Sequence, residues 1–182
     1  MSEATNYNLK SEKNHKFIDV DPDKCIGCGI CELVCSMEKT EDRSFNPSKS
    51  RIRVCRFDPA INIAVACRLC EKPSCVNACP KKALSQAQSG IIHVDENKCN
   101  GCNWCIKACP YGSISIDPDK RVAALCDLCE GRKGIGVFPG RKIASPACVE
   151  WCPEEAIELL TDERLAGKAR QATIVKLLYT PT

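Results

Sequence analysis

The sequence has no run of about eighteen apolar residues, which is the length that a membrane-spanning helix needs. We therefore expect no direct insertion into a membrane. Residues 1–16 contain neither an apolar run nor a pair of adjacent arginines, so no secretory or twin-arginine export signal is visible. The expected location is cytoplasmic, where disulfide bonds rarely persist.

Ordinary core-forming residues are also scarce. Apolar residues other than cysteine make up about 35% of the 182 residues, which is a small supply for a conventional hydrophobic core. The chain has 17 cysteines instead. In a reducing compartment so many cysteines indicate metal binding, and we expect metal groups to hold the fold together.

No catalytic pattern is visible. The segment 130–147 carries four glycines and the basic residues Arg132, Lys133, Arg141 and Lys142, but it lacks the GxxxxGK[ST] spacing of a phosphate-binding loop. It is interpreted either as a loop that faces a partner or as a cover over a metal site. No pairing of a nucleophile with a base is suggested, so catalysis is expected to belong to a partner.

The spacing of the cysteines is the strongest signal in the chain. Cys99, Cys102, Cys105 and Cys109 follow the pattern CxxCxxCxxxC, and Pro110 comes directly after the last of them. Three thiolates at positions i, i+3 and i+6 can hold three corners of one [4Fe-4S] cube, while the fourth reaches a neighbouring cube. One such motif therefore implies two clusters.

Three other sets repeat this motif with small departures. The first has Ser36 where proline is expected, the second has a longer gap before its third cysteine, and the fourth is split by the segment 130–147. Their candidate iron ligands are Cys25, Cys28, Cys31 and Cys35, then Cys67, Cys70, Cys75 and Cys79, and finally Cys126, Cys129, Cys148 and Cys152. Sixteen cysteines in four sets predict four [4Fe-4S] clusters.

Competing uses of the cysteines and of the charge are disfavoured. A cysteine at i+6 and another at i+10 would crowd a single tetrahedral zinc ion. The formal charge of +3 becomes about −5 once four oxidised clusters, each of about −2 with its thiolates, are bound. The basic residues are therefore read as compensation for cluster charge, and no nucleic-acid binding is expected.

Short strands and turns are predicted between the motifs. The strands are 17–20, the hairpin 51–57 with 61–66 around the turn 58–60, the hairpin 83–85 with 90–94, and 113–116, with turns at 21–24, 95–98 and 117–120. Cys55, outside all four sets, is interpreted as a strand residue and His93 as an edge residue. His15 is expected to be solvated, and Trp104 is expected to pack against a cluster.

A final amphipathic helix is predicted from 162 to about 178, capped by Thr161. Its apolar positions are Leu165, Ala169, Ala172, Val175 and Leu178. We expect this stripe to pack on the core of the chain, with contact to another subunit as the alternative.

The four motifs resemble those of four-cluster iron–sulfur subunits of the bacterial-ferredoxin type, which serve molybdenum or tungsten oxidoreductases, membrane hydrogenases and carbon-monoxide dehydrogenases. The resemblance covers residues 17–160. It implies an α+β, ferredoxin-like fold of two pseudo-symmetric two-cluster modules with short hairpins and short helices. The expected divisions are a flexible segment 1–16, a first module 17–36 plus 117–160, a second module 37–116, and a C-terminal helix and tail 161–182.

The resemblance also implies that the fourth cysteine of each motif crosses to the other motif of its module. The implied ligand sets are Cys25, Cys28, Cys31 with Cys152; Cys126, Cys129, Cys148 with Cys35; Cys67, Cys70, Cys75 with Cys109; and Cys99, Cys102, Cys105 with Cys79. Some relatives have tryptophan at the second position of the third motif and hold three irons. Cys102 is retained here, so four irons are expected.

A chain of this type is expected to conduct electrons between a catalytic subunit and a second redox partner. The compact length, the lack of an anchor and the segment 45–53 resemble small subunits that accompany tungsten enzymes of the aldehyde:ferredoxin oxidoreductase type, and also ferredoxins linked to carbon-monoxide dehydrogenase. Of the two, a tungsten or molybdenum enzyme is favoured. A flavin- or NAD-linked subunit or a ferredoxin is the expected second partner, and self-stacking of copies is a further hypothesis. The alternative function is a free polyferredoxin that shuttles electrons by diffusion.

Overall fold

The computed structural model describes residues 15–57, 61–130 and 145–179. Three expectations therefore concern residues outside this part: the flexible segment up to residue 14, the turn 58–60, and the insert with its basic residues Arg132, Lys133, Arg141 and Lys142. Among the described residues, no helix is both long enough and apolar enough to cross a bilayer.

The described elements are short, as the motif spacing predicts. In chain order they are β1 (Lys16–Val20), α1 (Ile30–Lys39), a 3₁₀ turn (Pro47–Lys49), β2 (Ile52–Phe57), β3 (Ile61–Ala66), α2 (Ser74–Asn77), β4 (Leu84–Gln86), β5 (Ile92–Val94), α3 (Trp104–Ala108), β6 (Ser115–Ile116), β7 (Ala123–Ala124), α4 (Ala147–Glu150), β8 (Ile157–Thr161) and α5 (Asp162–Tyr179). This mixture of strands and helices fits the expected α+β class.

The strands form four antiparallel pairs. The pairs β2–β3 and β4–β5 confirm the two predicted hairpins, and β6 corresponds to the strand predicted at 113–116. The strands β7 and β8 were not predicted from the sequence. β8 pairs with β1 from Lys16 opposite Thr161 to Val20 opposite Ile157, so the two ends of the cluster-bearing region meet.

The three predicted turns share one geometry. Asp21, Asp95 and Asp117 each accept, through the side-chain Oδ1, a hydrogen bond of 3.0–3.1 Å from the backbone N–H two residues later. An aspartate that bonds its own backbone in this way stabilises a tight turn without help from neighbouring strands. Two of these turns lead directly into cluster motifs, because Cys25 and Cys99 donate their N–H groups to the carbonyls of Asp21 and Asp95.

Two large groups of buried residues and one small group, Val34 with Ala147, form the interior of the described part of the chain. The first core contains Ile18, Ile52, Ala64 and Ile157 together with three cysteines, and the second contains Leu69, Leu84, Ile92 and Leu125 together with three others. Helix α1 packs against α4, and α2 packs against α3. The β2–β3 hairpin contributes Ile52, Ala64 and Ala66 to the first core.

Helix α5 has the predicted extent and the predicted cap, since the N–H of Arg164 donates to the Thr161 hydroxyl at 3.4 Å. The expectation that its apolar stripe packs on the core is wrong. Leu178 is 71% exposed, and Leu165 and Val175 are exposed as well. Lys168, in the first half of the helix, forms an ion pair with β8: its ammonium lies 3.0 Å from the carboxylate of Glu158.

His15 also differs from its predicted solvated state. Its ring is largely buried, packs against Phe17, and donates from Nε2 to the carbonyl of Leu69. A Cβ on Gly90 would lie 3.1 Å from this ring, so the glycine leaves room for it. His93, by contrast, is an exposed strand residue as predicted.

Candidate metal centres

The loops at the start of the first and third motifs each line a cavity. Cys25, Cys28, Cys31 and Cys152 border one of these cavities. Cys79, Cys99, Cys102 and Cys105 border the other. In both cases three cysteines of one motif meet the fourth cysteine of a different motif. The shared ligand pattern indicates two sites of the same kind.

The other eight cysteines gather in two more enclosed groups. Cys67, Cys70, Cys75 and Cys109 influence one another electrostatically, as do Cys35, Cys126, Cys129 and Cys148. Each group again combines three cysteines of one motif with the fourth of another. No member of either group is exposed, whereas Cys28 and Cys102 in the first two sites are.

Burial makes these sulfurs poor thiolates when no metal is bound. It raises the pKa of Cys31 and of Cys126 to about 12, and the pKa of Cys75 to about 11. Neighbouring cysteines raise these pKa values further, because several negative charges cannot share one apolar pocket. The four-thiol groups therefore need iron to stabilise their negative charge, and iron binding must release protons.

The described cysteines are not placed as ligands of a single metal ion. Within the described ranges, no three His, Cys, Asp or Glu side chains are placed to hold a single metal ion. The cysteines of a [4Fe-4S] cluster bind different iron atoms and so stand further apart than the ligands of one zinc ion. A bound [4Fe-4S] cluster supplies one-electron redox chemistry, and the residues of this chain hold it, exclude water from it and donate hydrogen bonds to its ligands.

The fourth cysteine of each motif accepts backbone hydrogen bonds at its sulfur. The N–H groups of Ala83 and Ala156 donate to Cys79 and Cys152, each at 3.3 Å. In both cases the donor lies four residues after the cysteine, just past the proline. This local turn presents an N–H group to the sulfur, which stabilises its negative charge.

The first motif replaces this local donor with a distant one. Because Ser36 takes the place of proline, α1 continues past Cys35 to Lys39. The chain then returns through residues 40–50, and the N–H of Arg51 donates to the Cys35 sulfur at 3.2 Å. The departure from the motif thus changes the exit of the chain, as predicted, and the segment before β2 restores the hydrogen bond.

Cys109 has the richest set of donors. Burial raises its pKa, but the hydroxyl and N–H of Ser113 and the N–H groups of Tyr111 and Gly112 outweigh that effect, so the net pKa is lowered. The Ser113 hydroxyl lies 3.4 Å from the Cys109 sulfur. It also interacts with Cys67, where it lowers the pKa against the larger, opposite effect of burial.

Two glycines allow close packing at the cavities. Gly101 has a φ of +66°, and a Cβ there would lie 2.5 Å from the backbone oxygen of Arg121. Gly27 has a φ of +71° and faces Asn62 of the β2–β3 hairpin at a similar distance. A side chain at position 101 would force the backbone of Arg121 away from the cysteine loop, whereas one at position 27 would displace the Asn62 side chain.

The remaining predicted residues have clear places. Cys55 is a half-buried residue of β2, opposite Ile63, as predicted. Trp104 lines the cavity of the third motif but remains 58% exposed, with the Lys107 ammonium 5.9 Å from the centre of its ring. Sequence reasoning missed the donors Arg51 and Ser113. The recurring position four residues after a motif's last cysteine could have indicated Ser113.

A protein-family model described as "4Fe-4S dicluster domain" matches residues 60–162, and another described as "4Fe-4S binding domain" matches residues 17–39. The chain belongs to the 4Fe-4S dicluster domain family. Membership confirms the prediction that it binds multiple [4Fe-4S] clusters, and the zinc reading is not supported.

Relatives agree with this assignment. The chain is 38% identical to the "Aliphatic sulfonate oxidoreductase, polyferredoxin-like subunit" of Pyrococcus furiosus, over 80% of this chain and 78% of that protein. It is 33% identical to "Electron transport protein HydN" of Escherichia coli (strain K12), over 87% and 97%. It is 32% identical to "Thiosulfate reductase electron transfer subunit PhsB" of Salmonella typhi, over 76% and 71%. These names confirm the prediction of a non-catalytic iron–sulfur electron-transfer chain.

In two longer Escherichia coli (strain K12) relatives, the match covers only 23% and 22% of the protein. Among solved structures, the "Active site complex BamBC of Benzoyl Coenzyme A reductase as isolated" is similar at a TM-score of 0.46. The identity is 24%, with 88% of this chain and 89% of that chain covered.

Proposed function

We propose that this chain conducts electrons through four [4Fe-4S] clusters, each held by three cysteines of one motif and the fourth cysteine of another. The proposed ligand sets are Cys25, Cys28, Cys31, Cys152; Cys35, Cys126, Cys129, Cys148; Cys67, Cys70, Cys75, Cys109; and Cys79, Cys99, Cys102, Cys105. The observation that carries the proposal is that the last cysteine of each motif lies beside cysteines of another motif: Cys152 and Cys79 border the cavities of the first and third motifs, and Cys109 and Cys35 interact with Cys75 and Cys148.

The four sites form two pseudo-symmetric modules in this proposal. The contact of α1 with α4, the pairing of β1 with β8 and the shared first core support one module of motifs one and four. The contact of α2 with α3 and the second core support a module of motifs two and three. We assign the β2–β3 hairpin to the first module because its inward side chains lie in the first core.

Exposure of the ligands indicates the order of the clusters. The sites that contain Cys28 and Cys102 each present one exposed cysteine, so we place them at the two ends. The two enclosed sites then lie between them. Cys126 and Leu128 pack against both cores, which supports a direct passage from the inner site of one module to that of the other. Electrons would enter and leave at opposite ends of a row of four.

Each end carries exposed apolar side chains. Ile26 lies in the loop beside Cys28, and this loop meets the hairpin end that carries Phe57 and Ile61, since Arg56 donates to the carbonyl of Gly27 and Asn62 faces Gly27. Ile26, Phe57 and Ile61, here called the Cys28 patch, are each about 60% exposed. Trp104 provides an exposed aromatic ring beside Cys102. We propose that redox proteins dock at both ends.

A charge in the Cys28 patch is expected to slow electron exchange. Ile61→Glu should lower the rate with a redox partner that uses this end by at least about tenfold, the factor that about 1.4 kcal/mol of lost binding produces. Stopped-flow kinetics with the purified partner measures the rate, and the iron content should not change. Leu178→Glu on α5 is the matched control, because Leu178 is an aliphatic side chain that is at least as exposed as Ile61 and lies on another element. A larger loss from the control would assign docking to α5.

One of the two docking partners is proposed to be a catalytic oxidoreductase subunit, favoured here as a tungsten or molybdenum enzyme. The support is that relatives are named as subunits of an aliphatic sulfonate oxidoreductase and a thiosulfate reductase. Anaerobic purification from the native host tests both parts of the proposal. About sixteen irons per chain are expected, four for each cluster, together with a catalytic subunit at fixed stoichiometry. Fewer than about twelve irons would refute four clusters, and a chain that purifies alone would favour the freely diffusing polyferredoxin.

A further inference from the structure

The residue four positions after the last cysteine of a motif differs in one of the three local turns. After Cys79 and Cys152 this residue is alanine, and only its backbone N–H reaches the sulfur. After Cys109 it is Ser113, whose side-chain oxygen lies 3.4 Å from the Cys109 sulfur in addition to the backbone contact. The first motif uses the backbone of Arg51 at the corresponding sulfur. The added hydroxyl therefore distinguishes Ser113 from the donors to the last cysteines of the other three motifs, which bond the sulfur through their backbone N–H groups.

The environment of Ser113 gives its hydroxyl a defined role. Ser113 is buried, with 9% of its surface exposed, so water does not compete strongly for the hydrogen bond. An iron-bound thiolate carries no proton, so the hydroxyl must be the donor and the sulfur the acceptor. The hydroxyl also interacts with Cys67, which belongs to the same proposed ligand set as Cys109.

We propose that the Ser113 hydroxyl raises the reduction potential of one inner cluster, the one held by Cys67, Cys70, Cys75 and Cys109. A donor bonded to a ligand sulfur stabilises the more negative, reduced state more than the oxidised state. Ser113 keeps its proton while a single electron arrives and leaves, so no bond is made or broken. Ser113 therefore acts through the ligand sulfur and is not itself oxidised or reduced. This inference rests on the ligand sets proposed above.

The test is a redox titration of the intact holo-chain, monitored by electron paramagnetic resonance. Ser113→Ala should lower the midpoint potential of one cluster so that its electron-transfer equilibrium changes about tenfold, which is about 59 mV for one electron. The other three potentials and the iron content should be unchanged. Ser113→Thr, which keeps a hydroxyl, should restore most of the shift. An unchanged set of potentials, or an equal shift of all four, would overturn the proposal.

A vibrational measurement separates hydrogen bonding from packing. The Fe–S(Cys) stretching bands in resonance Raman spectra should shift between H₂O and D₂O, and Ser113→Ala should lose part of that shift. The reciprocal variant Ala156→Ser adds a hydroxyl at the equivalent position and should raise the potential of the cluster that uses Cys152. It keeps the idea testable if Ser113→Ala loads iron poorly, and a potential that does not rise would count against the proposal.

The outcomes also distinguish this inference from the proposed function. An iron content far below sixteen in the unaltered chain would refute the four-cluster assignment itself. If the iron content is complete and Ser113→Ala leaves all four midpoint potentials unchanged, only the proposed role of the hydroxyl is refuted.

Discussion

Replacing Cys109 with alanine is expected to remove about four of sixteen irons, and to remove them from the cluster whose other ligands lie about forty residues earlier. Cys109 follows Cys105 in the same motif, but in the fold it also interacts with Cys75 of the second motif. Because the proposed cluster occupies an inner position, its loss should also interrupt conduction between the two ends. Iron analysis and single-turnover electron transfer measure the two effects.

Double variants identify the cluster to which Cys109 belongs. The double variant Cys70→Ala/Cys109→Ala should lose no more iron than either single variant, because both substitutions remove a ligand of the same proposed cluster. Cys102→Ala with Cys109→Ala should lose about twice as much, since two clusters are affected. The opposite pattern would show that Cys109 serves the cluster of its own motif. Cys55→Ala is the matched control, and its iron content should equal that of the unaltered chain, because Cys55 lies in none of the four groups.

Removal of iron is expected to unfold most of the chain. Three of the ten buried residues of the second core and three of the eight of the first are cysteines that face the proposed clusters. Structural zinc in zinc-finger peptides supplies about 10–16 kcal/mol of folding free energy, which is as large as the whole stability of about 5–15 kcal/mol of a typical domain. The apolar residues that remain cannot offset that loss.

Chelation under reducing conditions, followed by circular dichroism and thermal melting, measures this effect. The holo-chain should melt cooperatively, and the apo-chain should show no cooperative transition. The control is the chain carried through the same steps without chelator. Restoring iron and sulfide should bring back the transition. An iron-free chain with the original spectrum and a cooperative melt would contradict the prediction and show that the hairpins and cores suffice for folding.

The sequence alone determined the features that depend on neighbouring residues. The cysteine spacing specified the kind of metal group, because three positions at intervals of three can face one cube. Asp21, Asp95 and Asp117 specified turns through hydrogen bonds to their own backbone, and alternating apolar residues specified the β2–β3 hairpin. Residues close in the chain meet with little loss of entropy, so their pattern predicts their contacts.

Only the tertiary structure decided contacts between distant segments. The pairing of β1 with β8 joins residues more than 130 positions apart. The sequence of such a short strand does not specify the strand with which it pairs. The donor to Cys35 came from Arg51, across a loop whose path no local pattern specifies. The apolar periodicity of residues 162–178 correctly predicted the helix α5, but its apolar side chains are exposed. In the fold α5 contacts β8, and this contact leaves its apolar side chains on the surface. A pattern shows which face of a helix is apolar, whereas the arrangement of all other elements decides what, if anything, covers it.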